Sequence, residues 1–144
     1  MKTFITIILL LVFLIGTSTA ITKPRTTVKI TDNTIETLIN GLNTNNIGLQ
    51  SSSAYMIGEL QLSQGVIPLL KILHTEKNEE LRIAAALALY KIGSPIAIYA
   101  VKQAIRFDDS QRVSKHCADF YNDYLRNKLN DEEINADVTQ TALK

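Results

Sequence analysis

The sequence predicts an all-α fold, an α-solenoid or α–α superhelix of about three stacked helical hairpins and six helices, preceded by an export signal. Three observations predict it. Apolar residues in the body of the 144-residue chain recur at spacings of three and four and nowhere alternate for long, the pattern of amphipathic helices. Polar turns rich in Asn, Ser, Gly and Asp separate these runs. The hairpins also repeat at offsets of 31 to 35 residues. Units of that size stack because none buries its apolar face alone.

The N-terminus differs in kind. Lys2 is followed by Phe4 to Ile15, apolar at every position but Thr6, and then by Gly16-Thr17-Ser18-Thr19-Ala20. This is the layout of a signal peptide over residues 1–20, with cleavage expected after Ala20. An uncleaved anchor is the alternative, but a spanning helix needs about 20 apolar residues. Loss of Lys2 brings the 15 Lys+Arg level with the 14 Asp+Glu. Residues 21–31, with Pro24, Thr26 and Thr27, read as an extended arm.

The helical domain is expected over 32–128. Helix 1 runs from about Asn33 to Leu42, capped by Thr31 or Asp32, with Ile35, Leu38, Ile39 and Leu42 as its stripe. Helix 2 spans about Ile47 to Leu60, with Leu49, Ala54, Ile57 and Leu60 inward. Its Ser51-Ser52-Ser53 run forms helix weakly and needs tertiary support. Helix 3 follows a cap at Ser63 and carries Val66, Leu69, Leu70 and Leu73 on one face, with Pro68 in its first turn.

Helix 4 begins after Asn78, places Glu79 and Glu80 at the positive end of its dipole, and ends at Gly93. It is apolar nearly all round and should be central. Ser94-Pro95 opens helix 5, which carries Ile96, Ile98, Tyr99, Val101, Lys102 and Ile105. A carboxylate cap in Phe107-Asp108-Asp109-Ser110 starts helix 6, with Val113, Cys117, Phe120, Tyr121, Tyr124 and Leu125. Residues 129–144 lack a convincing stripe and read as a polar, flexible tail.

The repeats are specific. Lys71-Ile72-Leu73 aligns with Lys102-Gln103-Ala104, and Leu89-Tyr90 with Phe120-Tyr121, at an offset of 31. Ala54-Tyr55-Met56-Ile57-Gly58 aligns with Leu89-Tyr90-Lys91-Ile92-Gly93 at 35. The stretch from Val66-Ile67-Pro68-Leu69-Leu70 through a polar turn to Leu81-Arg82-Ile83-Ala84-Ala85-Ala86 closely resembles the HEAT repeat. In that family an apolar-Pro-x-Leu core, an acidic turn residue and an apolar-Arg pair recur. Glu76 stands where the family has Asp, and Arg82 matches its Arg. In the third repeat Phe107 falls at the acidic position and Arg112 lies one place out of register. The first repeat has no Arg. The resemblance covers about Asn33 to Lys128. Parts of the chain also look like small exported bacterial proteins of this repeat class. It implies a right-handed superhelix whose second helices line a concave face.

Chemistry is sparse. The one Cys allows no intramolecular disulfide framework, and the two His give no His-rich metal site. The balanced charge argues against nucleic acid as a partner. No phosphate-binding loop, G-x-S-x-G, H-E-x-x-H or calcium loop is present. His74 reads as a helix C-terminal residue. Cys117 lies on an apolar stripe, as a buried thiol or, alternatively, an intermolecular disulfide partner. No catalytic residue, metal or cofactor is therefore assigned, and a small hydrolase or lyase has no support in the motifs.

What remains is surface. By position in the resemblance, the second helices offer Gln50, Tyr55, Arg82, Tyr90, Lys115, His116 and Tyr121 to a protein partner. Tyrosine and arginine are enriched at binding hot spots. Tyr90 and Tyr121 also suit packing roles, and Arg82 suits a hydrogen bond to Glu76 or a turn carbonyl. The expectation is an exported, non-enzymatic adaptor or scaffold, periplasmic or extracellular, with no stable membrane insertion after signal cleavage. The alternative is a structural envelope subunit, a homo-oligomer joined through its repeat ends.

Overall fold

The computed structural model describes residues 30–142, with side chains through residue 135. The signal segment 1–20 and the arm as far as residue 29 lie outside the described residues. Among those described there are six α-helices, no strand and one 3₁₀ turn at Ser63–Gly65. The helices are α1 (Asp32–Leu42), α2 (Ile47–Glu59), α3 (Val66–Thr75), α4 (Glu79–Ile92), α5 (Pro95–Phe107) and α6 (Gln111–Ala142).

Local chemistry explains most boundaries. The Thr31 hydroxyl accepts from the Thr34 N–H, the Asn46 side chain from Leu49 N–H, and the Asn78 side chain from Glu80 and Leu81 N–H. Each satisfies donors that a helix start leaves free. Gly93 ends α4 at φ +67°, a left-handed conformation that a Cβ disfavours. Gln61 takes the same role after α2 at φ +50°, where its N–H reaches the Gly58 carbonyl and the Leu62 N–H reaches that of Ile57.

Three caps differ from expectation. Ser63 opens the 3₁₀ turn, and α3 starts at Val66 with no side-chain cap. Ser94 precedes Pro95 but its hydroxyl makes no cap bond. At α6 the Ser110 hydroxyl, not a carboxylate, accepts from the Val113 N–H. The Asp108 carboxylate is committed elsewhere.

The helices form two layers. The first helices α1, α3 and α5 lie side by side, as do the second helices α2, α4 and α6, and each hairpin joins the layers. The core between them is centred on α4, with Leu69, Leu81, Ala85, Leu89, Val101 and Val113 almost fully buried. Burying each of the Leu and Val side chains contributes about 1.5–3 kcal/mol.

The inward faces of α2 and α5 are built of smaller residues than the spacing suggests. Leu49 is 48% exposed, whereas Ser53, Ala54, Ile57 and Gly58 are buried. On α5 the buried face is Ala97, Ile98, Ala100, Val101 and Ala104, and Ile96 and Tyr99 point to water. Small residues let these helices approach their neighbours closely, and bulk alone is a poor guide to which face does so.

The helical domain also outlasts its expected end. α6 continues past Lys128 to Ala142. Residues 129–135 are all exposed, so that stretch draws no support from the core. Arg126 pairs with Asp123 and Lys128 with Glu132, at helical spacing.

Candidate functional site

The second-helix layer presents a continuous row of polar and aromatic side chains. On α2, Tyr55 is 51% exposed. The Lys91 ammonium of α4 lies 5.2 Å from its ring centroid and pairs with Glu59. Beside Lys91, the Tyr90 hydroxyl donates to Asp123 of α6. The Tyr90 ring stacks on Phe120 at 5.8 Å, and Phe120 stacks on His116 at 6.1 Å. At the other end of α4, Glu80 pairs with Arg112 of α6. The half-buried Ile83 and Leu87 lie one turn apart on α4 between these ends.

These contacts set the local electrostatics. The Glu59 carboxylate, as hydrogen-bond acceptor and as a nearby charge, holds the Tyr55 phenol above its usual pKa. Glu59 itself is held below the usual carboxylate range by hydrogen bonds from Lys91 and then Tyr55. The hydrogen bond to Asp123 and then burial raise Tyr90. Both phenols are therefore neutral donors near neutral pH.

Arg82 lies below this surface. It is 7% exposed, and the fold uses every one of its N–H groups. Nε donates to Asp108 at 3.1 Å. One terminal nitrogen donates to Asp108 at 2.9 Å and Asp109 at 2.8 Å. The other donates to the carbonyls of Glu76 at 2.8 Å and Lys77 at 3.3 Å. Burial pushes its pKa down, but the hydrogen bond and charge of Asp108 and the charges of Asp109 and Glu79 outweigh this and raise it. Asp108 also accepts from the Ser110 N–H at 2.9 Å. The knot ties the second repeat's turn to the third's. Asp108, next to Phe107, does the acidic work, while the Glu76 carboxylate accepts only from the Asn78 N–H.

The seven residues singled out on the second helices thus separate. Tyr55 meets Lys91 of α4, Tyr90 and His116 both stack on Phe120, and the two groups adjoin through the consecutive α4 residues Tyr90 and Lys91. Lys115 is exposed on α6. Gln50 donates to the Leu42 carbonyl at 3.0 Å and bridges α1 to α2. Tyr121 turns toward α5, with the Lys102 ammonium 5.5 Å from its ring centroid and Tyr124 stacked at 6.4 Å. Arg82 is sequestered because its donors are saturated. Sequence reasoning misses Glu59, Lys91, Phe120 and Asp123. A signal exists: the cross-helix pairs Glu59–Lys91, Glu80–Arg112 and Tyr90–Asp123 are 32, 32 and 33 residues apart, one repeat length.

Two depressions flank these groups. One of about 460 Å³ lies at the turns over Arg82, lined by His74, Lys77, Gln103, Phe107 and Asp109 among others. The other, about 390 Å³, lies at the far end, between Glu59, Gln61, Tyr90, Lys91, Tyr124 and Asn127. Among the described residues no three His, Cys, Asp or Glu side chains are grouped to hold a metal ion.

Cys117 is wholly buried. Burial and then the Asp108 charge push its thiol up to about 12, so it is a neutral core group. A thiol reagent at pH 8 should leave it unmodified in the folded chain and label it fully in denaturant, measured by mass. Its folded pKa lies above the unfolded value of about 8.5. Its share of stability is thus complete below that value and is lost as pH rises toward 12. The urea midpoint should fall more steeply above pH 9 in wild type than in Cys117→Ala.

Two layers of antiparallel hairpins, second helices stacked along one side and an Arg knot between repeats define an α-solenoid repeat protein. The family model for HEAT repeats matches residues 35–119, more than half of the chain, and the chain belongs to that family. No curated protein matches it in sequence. HEAT repeats generally mediate protein–protein interaction and typically form non-enzymatic scaffolds.

Proposed function

We propose that this chain is an exported, non-enzymatic HEAT-repeat module that binds a protein partner across the face of α2, α4 and α6. The observation that carries the reading is a pair of cross-helix contact groups, Tyr55–Lys91 and Tyr90–Phe120–His116, side by side on α4, with Tyr55 half exposed. Side chains already held in place lose less entropy on association. Tyrosines of this kind dominate interface energetics, and the adjoining half-buried Ile83 and Leu87 supply apolar area. Export rests on Lys2, the apolar run Phe4 to Ile15 and Ala20, and places the protein in the periplasm or the extracellular medium. No helix among the described residues is long and apolar enough to cross a membrane.

Affinity capture from the native envelope fraction tests this. Wild type should retain a protein that Tyr55→Ala/His116→Ala loses at least tenfold, about 1.4 kcal/mol or more, as for a hot-spot pair, with helical content by circular dichroism unchanged. Equal retention by both proteins would refute the reading.

A second reading has its own observation. The last helix carries Leu125 and Leu129 on one face at 40% and 60% exposure, apolar area at a repeat end. Self-association through α6 would bury it, and sedimentation velocity would show concentration-dependent dimers that Leu125→Ser/Leu129→Ser abolishes.

A further inference from the structure

Within the layer of first helices, α3 and α5 differ in chemistry from the second-helix face and from α1, which carries Asp32 and Glu36. Neither α3 nor α5 contains an Asp or Glu, and together they carry Lys71, Lys102 and Arg106. The carboxylates of the neighbouring second helices include Glu59, Glu79, Glu80, Asp119 and Asp123. Asp108 and Asp109, in the turn after α5, are engaged with Arg82, and Glu76 lies in the turn after α3.

On α5, Ile96, Tyr99 and Phe107 are 53%, 61% and 73% exposed. At 100° per residue these three fall within an arc of roughly 80°. They form one stripe along α5, with its buried alanines on one side and Lys102 and Arg106 on the other. Ile67 of α3, the neighbouring first helix, is 68% exposed. The cations border this apolar surface. Arg106 lies 5.7 Å from the Phe107 ring centroid, and Lys102 leans over Tyr121 on the α6 side. Single exposed apolar residues need no explanation, but an aligned stripe on helices whose charged side chains are all cationic marks a contact surface, with the exposed Asp109 as the carboxylate at its edge.

We propose that this face docks on an anionic lipid bilayer, with Ile96, Tyr99 and Phe107 entering the boundary between headgroups and acyl chains. Lys71, Lys102 and Arg106 then meet the headgroup phosphates. The charge complementarity argues for that occupant: the helices carry only cations, and an anionic bilayer supplies negative charge over the whole plane. The residue types fit as well, since an aromatic with a polar tip, bulky apolar side chains and flanking Lys/Arg are what interfacial helices present. Docking involves side chains only, because the other side of α5 is locked in the core. The inference does not depend on the partner-binding face, which lies on the other layer.

The chain has no Trp, so a single introduced indole reports locally. In the full chain, Tyr99→Trp and Tyr55→Trp are each titrated with vesicles of phosphatidylcholine containing phosphatidylglycerol, and with phosphatidylcholine alone. The emission of the Tyr99→Trp variant should shift to the blue and be quenched by brominated acyl chains on the anionic vesicles only. That of Tyr55→Trp should stay at its value in water. Adding Lys71→Gln/Arg106→Gln to Tyr99→Trp should weaken the reported binding by about tenfold or more. No shift for Tyr99→Trp on anionic vesicles, a shift of equal size on phosphatidylcholine alone, or the same shift for Tyr55→Trp would overturn the proposal. So would a shift at position 99 produced by soluble envelope proteins and not by vesicles.

Discussion

Replacing Arg82 with alanine is expected to destabilise the fold by about 3–5 kcal/mol, the usual cost of removing one partner from a buried ion pair. The substitution leaves the Asp108 carboxylate, 5% exposed, with one backbone donor, and strips the carbonyls of Glu76 and Lys77 of theirs. A small domain has about 5–15 kcal/mol in total, so the variant should be near its unfolding threshold. Arg82→Lys should recover only part of the loss, because one ammonium cannot reach both turns. Asp109→Asn provides the contrast. Asp109 also accepts from Arg82, but its side chain is 90% exposed, and an exposed pair contributes about 0–1 kcal/mol. Urea unfolding followed by circular dichroism orders the three variants. Equal losses for Arg82→Ala and Asp109→Asn would mean that the buried knot does not hold the repeats together.

Gly58→Ala is expected to destabilise by about 1–3 kcal/mol, although alanine ordinarily stabilises a helix interior by about 1 kcal/mol relative to glycine. A Cβ at position 58 would stand 2.8 Å from the Cα of Ala88 and 3.2 Å from its Cβ. The nearer atom is backbone, so α2 and α4 must move apart. Ala88→Gly removes only the farther contact and should therefore not restore Gly58→Ala in the double variant. A stabilised Gly58→Ala would show that the helices have room to separate. The same movement strains the Glu59–Lys91 pair, so binding should weaken together with stability.

The elements legible in the sequence share a cause. In α3 and α4 the large apolar residues do the packing, so the spacing of Val66, Leu69 and Leu73 and of Leu81 and Leu89 reads directly as burial. In α2 and α5 the buried faces are built largely of Ser53, Gly58, Ala97, Ala100 and Ala104. Their importance comes from distances between helices, and no stripe announces that. Size alone places Leu49, Ile96 and Tyr99 among the packing residues, for the same reason. At the turns, an Arg82 bond to a carbonyl is foreseeable from the fork of its guanidinium. The partnership with Asp108 depends on α5 ending beside the start of α4, which is a property of the stack. The links across the second-helix face are within reach, since partners one repeat apart on neighbouring helices become neighbours in space. The continuation of α6 is hidden because it buries none of residues 129–135 and so leaves no apolar stripe to read.

Site-specific photo-crosslinking probes the proposed partner face of α2, α4 and α6. A photoreactive amino acid is placed at Tyr55, at Leu87 or, on the opposite layer, at Tyr99, and the protein is irradiated in its native envelope fraction. A partner seated on that face gives one protein adduct shared by positions 55 and 87 and absent from 99. Protein adducts from position 99 alone, or none from 55 and 87 with the chain correctly folded, would contradict the proposal.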